Sequence, residues 1–263
     1  MITNAREQMI TIDEHEHASA AAKNVSQRQR VCIVTGGSSG LGAAIISQLS
    51  LSTDFTHVIN WSLDTGVDVT SEAQVKSAAN KAFAHFNGKI DCLINCAGIN
   101  HIESITKLEI DNWDKVMDTN ARGLWLTTKY LADMMKGGTI LNIVSNAAVI
   151  PMTNSIAYNA SKSAALMITK QMSREPGKTH DITVFSVSPN KLTDTKMSDY
   201  INTEVCRQRG WTLDEAKAYQ LAALPAGIET DTNTLAEFIA FLLSTKKRHL
   251  FLQGCDLTYG GPV

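Results

Sequence analysis

Short apolar runs alternate with longer amphipathic stretches along most of this chain. Residues 31–35, 57–62, 66–69, 89–95, 139–145 and 181–187 have the length and apolar content of buried strands. Residues 250–252 with 254–259 form a last strand region. Helical spacing runs from the glycines after residue 35 to about residue 51 and over 71–86, where Ser71 is placed to cap. It returns from Asp111 through Asn120 to Lys136, across the stretch holding Tyr158 and Lys162, and over 234–244. Repeated strand–helix alternation predicts an α/β fold, a single doubly wound parallel sheet with helices on both faces. Residues 190–230, charged and carrying Tyr200, Trp211 and Tyr219, interrupt the alternation. Residues 1–29 have no clear period and are expected to be a flexible arm ahead of a domain spanning 30–263.

Composition narrows this picture. A chain of 263 residues, 44% hydrophobic and 19% charged, is ordinary for one globular domain with a full core. A formal charge of -2 gives no electrostatic case for nucleic acid or an anionic membrane. No apolar run approaches a membrane span, and residues 1–29 lack the apolar region of a signal peptide. Cys32, Cys92, Cys96, Cys206 and Cys255 show no ligand spacing, which favours a reduced, cytoplasmic protein. His15 and His17 alternate with Glu14 and Glu16, but no third ligand group lies near, so no metal is expected.

The chemistry concentrates at three places. Gly36, Ser38, Ser39, Gly40, Leu41 and Gly42 sit between the first strand and the first helix. Glycines there allow a tight turn and bring backbone amides against a pyrophosphate at the helix N-terminus, the context of a Rossmann-like dinucleotide site. At the end of the second strand an acidic side chain reads NAD and a cation reads NADP. Ser62 and Asp64 lie there and residues 52–66 contain no Lys or Arg, so NAD is expected over NADP. Tyr158 and Lys162 are four apart on one helical face, where an ammonium would draw a phenol's pKa toward working pH. Ser145 closes the strand before them and could hydrogen-bond the same substrate oxygen.

From about residue 30 onward the chain resembles the short-chain dehydrogenase/reductase family. The resemblance rests on the loop 35–42, on Asp68 and Val69, on Asn95-Cys96-Ala97-Gly98, and on Asn120, Ser145, Tyr158 and Lys162. It implies hydride transfer between an alcohol or carbonyl carbon and NAD or NADP. Tyr158 would be the general acid/base, with Lys162 lowering its pKa and holding the nicotinamide ribose. Ser145 would orient the substrate oxygen, and Asn120 would support a water leading to Lys162, the alternative being a structural residue that interrupts its helix. Asp68, Val69, Asn95, Ala97, Gly98 and Pro189 would contact the cofactor, and a homodimer or homotetramer is implied. Two positions depart from the family: Asn190 follows Pro189 where glycine is usual, and Tyr259 precedes Gly260-Gly261 where aspartate is usual.

The expected pocket segments, 98–103, 146–152 and 190–220, offer Asn100, His101, Asn146, Asn154, Asn190, Lys191 and Arg207 or Arg209. That set suits a small-molecule substrate that is polar: a sugar, polyol or hydroxy acid. The enzymatic alternative is a 3-oxoacyl thioester reductase. The alternative of another class is a dinucleotide-binding regulator without turnover.

Overall fold

The computed structural model describes residues 29–245 and 247–260; the expected arm and His15 and His17 lie outside the described residues. Its sheet has six parallel strands in the order β2-β1-β3-β4-β5-β6. These are β1 Val31–Thr35, β2 His57–Trp61, β3 Cys92–Asn95, β4 Thr139–Ile143, β5 Thr183–Pro189 and β6 Asp256–Tyr259. The helices are α1 Gly40–Leu51, α2 Glu72–His85, α3 Ile110–Met117, α4 Gly123–Leu131, α5 Ile156–Arg174 and α6 Pro176–Thr179. Then follow α7 Lys196–Arg209, α8 Leu213–Ala222, α9 Thr232–Ser244 and α10 His249–Leu252. No helix among the described residues is long and apolar enough to cross a membrane.

Strand alternation divides the core in two. Val31 and Ile33 of β1 face the side covered by α2, α4 and α5, where Val75, Leu124 and Met172 pack. Cys32 and Val34 face the other side, against Leu41 and Ile45 of α1 and Leu235 and Ile239 of α9. Both faces are buried, which is why the strands read as continuous apolar runs. The chain leaves β1 for β2 on one side and returns to β3 on the other, so a topological switch point opens between β1 and β3. Their last residues, Thr35 and Asn95, are in register there.

One expected strand is absent, and the first part of another is helical. Residues 66–69 keep an alternating burial, with Val67 and Val69 inside, but pair with no strand. Gly66 is left-handed (φ 81°), and the Asp68 N–H donates to the Gln74 side chain at 2.8 Å. Turn and side-chain acceptors thus take the amides a ladder would have used. Residues 250–252 fall in α10, not in β6. Helical spacing over 111–136 corresponds to α3 and α4 joined by a π-helical turn, Asp118–Arg122, with helical backbone at both junctions. Ser71 caps α2 as expected, accepting from the Gln74 N–H.

Candidate active site

The strand ends open onto a cleft of about 1250 Å³. At one end lies the turn Gly36–Gly42. A Cβ on Gly36 would meet Ala97 Cα at 2.7 Å, and one on Gly42 would meet the Gly36 carbonyl at 2.3 Å. Only hydrogen fits at either place, so the loop's backbone is left bare toward the cleft, as a bound pyrophosphate requires. Gly36, Ser38, Ser39, Gly40, Leu41 and Gly42 all line this wall.

Beside them the end of β2 carries a polar chain. Ser62 Oγ donates to Asn60 Oδ1 at 2.6 Å, and Asn60 Nδ2 donates to Ser38 Oγ at 2.8 Å. Ser38 Oγ donates in turn to Asp64 Oδ1. The Asp64 carboxylate is therefore drawn toward the glycine turn. Among the described residues no Lys or Arg lines the cleft at 61–70. Asp68 lines the cleft too, but its carboxylate accepts from Thr70 N and Thr70 Oγ1, each at 2.8 Å, and shapes its own turn.

Past the switch point, Thr35 Oγ1 accepts from the Cys96 and Ala97 amides at 3.0 and 3.1 Å and fixes the 95–98 turn. Ala97 and Gly98 line the cleft. The Asn95 side chain does not: it donates to Asn142 at 2.9 Å and accepts from Thr127 at 2.7 Å, tying β3 to β4 and α4. Its expected cofactor contact is not open to its amide.

Helix α5 carries Tyr158 and Lys162 on its buried side, both under one-tenth exposed. Ser145, two residues beyond β4, holds a turn by accepting from the Ala147 N–H at 3.1 Å. These three side chains line the same wall. Lys162 Nζ donates to the Ile143 carbonyl at 2.9 Å and lies 5.7 Å from the Tyr158 ring centre. Burial pushes the Lys162 ammonium down to about 8, with Cys96 acting the other way. Burial also raises the Tyr158 phenol above its usual range, opposed by a hydrogen bond with Ser145. The expected lowering by Lys162 is thus outweighed: the ammonium is turned to a main-chain carbonyl, and desolvation disfavours both charged forms.

Asn120 sits behind this wall. Its amide donates to the Ile99 carbonyl (2.8 Å) and Ser161 Oγ (2.9 Å) and accepts from the Ile99 N–H (2.9 Å). The π-helical turn bulges the backbone where Asn120 makes this clamp. Both Asn120 Oδ1 and Lys162 Nζ would lie within 4 Å of a Cβ on Gly98, so the two side chains meet at that glycine.

The far end of the cleft is less polar than expected. His101 and Arg207 do not line it. Asn154 donates to Gln208 at 2.6 Å, and Lys191 pairs with Glu229 at 2.8 Å. Asn190 is buried; its Nδ2 donates to the Gly260 carbonyl, and its Oδ1 accepts from Thr230 Oγ1 at 2.5 Å. It has no positive φ, so it replaces the usual glycine by cross-linking, not by mimicking its backbone. Asn146 Oδ1 accepts from Ser145 at 3.3 Å. Asn100 differs: its Oδ1 is buried without a partner. Between these amides stand Ile102, Ile150, Met152, Ile201, Val205 and Leu224.

The structural roles of three positions, Thr35 among them although its loop was singled out, escaped sequence reasoning. Asn159 donates to the Ala147 and Ile150 carbonyls at 2.7 Å each and holds the loop before α5. Thr35 and Tyr200 bind backbone amides of distant turns. Only Asn159 gave a local signal, an amide in a helix's first turn just after a loop.

Comparison with known proteins agrees with this geometry. The family model described as short chain dehydrogenase matches residues 63–205. The chain belongs to the short-chain dehydrogenase/reductase family. Among its relatives in that family is (+)-borneol dehydrogenase 2 of Salvia officinalis, 29% identical over 254 residues, 88% of each chain. D-threitol dehydrogenase of Mycolicibacterium smegmatis is 30% identical over 181 residues, 61% of this chain and 69% of its own. The fold is shared with an NAD+-bound xylitol dehydrogenase at a TM-score of 0.79 and 23% identity, covering 90% of this chain and 100% of that one. This short-chain dehydrogenase/reductase is thus an oxidoreductase acting between CH–OH and carbonyl groups with NAD(P).

Proposed function

We propose that the enzyme interconverts a secondary alcohol and its ketone, with Tyr158 as general acid/base and NAD as the preferred cofactor. The carrying observation is the convergence of Ser145, Tyr158 and Lys162 on one wall of a cleft whose other end is the bare glycine turn. The nicotinamide cofactor supplies the hydride acceptor or donor when bound. Ser145 orients the substrate oxygen, and Tyr158 takes or gives its proton. Lys162 holds the ribose hydroxyls and, as a cation near Tyr158, favours its phenolate. Asn120 keeps the Gly98–Ile99 turn in place against Lys162. NAD preference is supported by Asp64 and by the lack of any Lys or Arg among the described residues that line the cleft at 61–70. Like charges about 4 Å apart at an effective dielectric near 20 repel by roughly 4 kcal/mol before solvation.

For the substrate, the engaged amides at the far end favour a less polar molecule than a free polyol. The relatives' names span both kinds, a terpenoid alcohol and a tetritol. Exposed Trp125 on α4, Met167 on α5 and Phe241 on α9 support assembly with further copies of the chain, which light scattering would measure. The free cysteines support a reducing compartment.

Tyr158→Phe tests the reading. Cofactor affinity should persist while turnover falls at least about a hundredfold; near-normal turnover would refute the role. Dissociation constants at low salt should favour NAD over NADP at least about tenfold. Tighter NADP would overturn the reading of residues 62–64.

A further inference from the structure

Charged side chains line the cleft at both ends, and Lys115 joins the acids near Asp118. Of the described residues that line it, the carboxylates are Asp64, Asp68 and Asp118. The first two follow β2, and Asp118 pairs with Arg122, which donates to the Thr70 carbonyl in the same region. Residues 189–224 contribute Lys191, Lys196 and Arg209 to the wall and no acid.

These cations are not equivalent. Lys191 is neutralised by Glu229 at 2.8 Å. Lys196 opens α7 next to Thr195, whose side chain packs at Gly40, so it belongs to the glycine-turn end. Arg207 pairs with Glu204 at 2.7 Å and does not line the cleft. Arg209 alone at the far end has no carboxylate partner among the described residues. Aromatic faces hold it instead: its guanidinium carbon lies 4.7 Å from the Trp211 ring centre and 4.5 Å from that of Tyr219. One nitrogen donates to the Tyr219 hydroxyl at 3.3 Å. Stacking fixes the plane of a guanidinium without cancelling its charge, leaving a fork that matches a carboxylate. Met152, Ile201, Val205 and Leu224 give the same end an apolar lining.

We propose that Arg209 is a specificity-determining residue that binds a substrate carboxylate. The substrate class is then an oxo or hydroxy acid with an apolar stretch between the carboxylate and the reacting carbon. The inference rests on the oxidoreductase reading of the cleft. The rival role for Arg209 is structural: it sits in the last turn of α7, where a cation also favours the helix.

The test compares levulinate and its longer oxo-acid homologues with their methyl esters, in NADH-linked reduction by the unmodified enzyme, Arg209→Gln and Arg209→Lys. The acids should exceed the esters in kcat/KM at least about tenfold, mostly through KM, as expected for one charge-assisted contact. Arg209→Gln should erase that preference and leave ester turnover within about twofold, while Arg209→Lys restores part of it. Added salt should shrink the preference. Equal rates for acids and esters, or an Arg209→Gln that slows both alike, would overturn the inference and leave the oxidoreductase reading standing. Silence toward every acid and ester would also overturn it; Tyr158→Phe on whichever alcohol is turned over then judges the catalytic reading separately.

Discussion

The rim built from strand ends and the cover built from residues 190–224 share one cleft but are held by different forces. Behind the rim, β1, β3, β4 and β5 are buried along their whole lengths, with apolar clusters on both faces. The cover has almost no such support: α7 buries only Ser198 and Asn202, and α8 only Ala216. Side-chain hydrogen bonds tie it down. The Ile102 N–H donates to Tyr200 at 3.0 Å, and Gln208 donates to the Ile102 carbonyl at 3.0 Å. A hydrogen bond contributes about 0.5–1.5 kcal/mol net, against about 1.5–3 kcal/mol for a fully buried leucine. The candidate catalytic side chains therefore stand on the most stable part of the molecule. The substrate wall belongs to a part that can open by itself.

The strongest way to sharpen that contrast is Lys162→Met. Turnover should fall at least about a hundredfold, yet the cofactor-free protein should become more stable. The ammonium's pKa of about 8 in the fold lies below its ordinary 10.5, so below about pH 8 both states hold the proton and the fold carries the burial penalty. Between those values the unfolded chain binds more protons, and stability rises with pH. The penalty is on the order of 3 kcal/mol, part of which the lost bond to Ile143 offsets. Denaturant melts should show a gain of about 1–3 kcal/mol at pH 7 that fades toward pH 10. A loss of stability at pH 7 would break the comparison.

Gly42→Ala should lower stability by about 1–3 kcal/mol, because its Cβ meets a carbonyl that cannot move. Cofactor affinity, read by fluorescence titration, should drop with it. Asp64→Ala or Ser62→Arg should move the NAD/NADP ratio of dissociation constants toward NADP with little change in melting temperature. The smallest effect belongs to the cover. Tyr200→Phe should speed amide exchange in α7 about fivefold, near 1 kcal/mol, and raise KM more than it lowers kcat. Exchange rates that rise equally in β4 would show cover and rim to be one cooperative unit.

Most of the rim was legible from the chain because its signals are local. Apolar runs marked β1, β3, β4 and β5, and a glycine cluster between strand and helix marked the turn. Residues 66–69 misled because Val67 and Val69 alternate inward without a neighbouring strand, and alternation alone cannot report a missing partner. The cover stayed unread because its helices bury polar side chains, so the apolar period that announces a helix is weak there. Asn190 stood out as a departure, but its partners Thr230 and Gly260 are far along the chain. The alternative that Asn120 interrupts its helix pointed at the π-helical turn, though the spacing around it looks plainly helical. The pKa balance of Tyr158 and Lys162 was misjudged for another reason: burial depth decides it, and spacing carries no information on depth.

Cys96 has a practical consequence for watching the cover move. Its thiol is pushed up to about 12 by burial, so near neutral pH it stays protonated and reacts slowly with maleimides, which attack the thiolate. Cys32 and Cys92 are sealed in the core. Cys206 on α7 and Cys255 are part-exposed, and so is Cys96 at the cleft, but its raised pKa keeps it a poor nucleophile. In a Cys255→Ser background, a dye therefore attaches at Cys206 and rides on the cover, while the thiol beside the candidate catalytic lysine stays unlabelled. A change in its emission on adding cofactor or substrate would report movement of the cover.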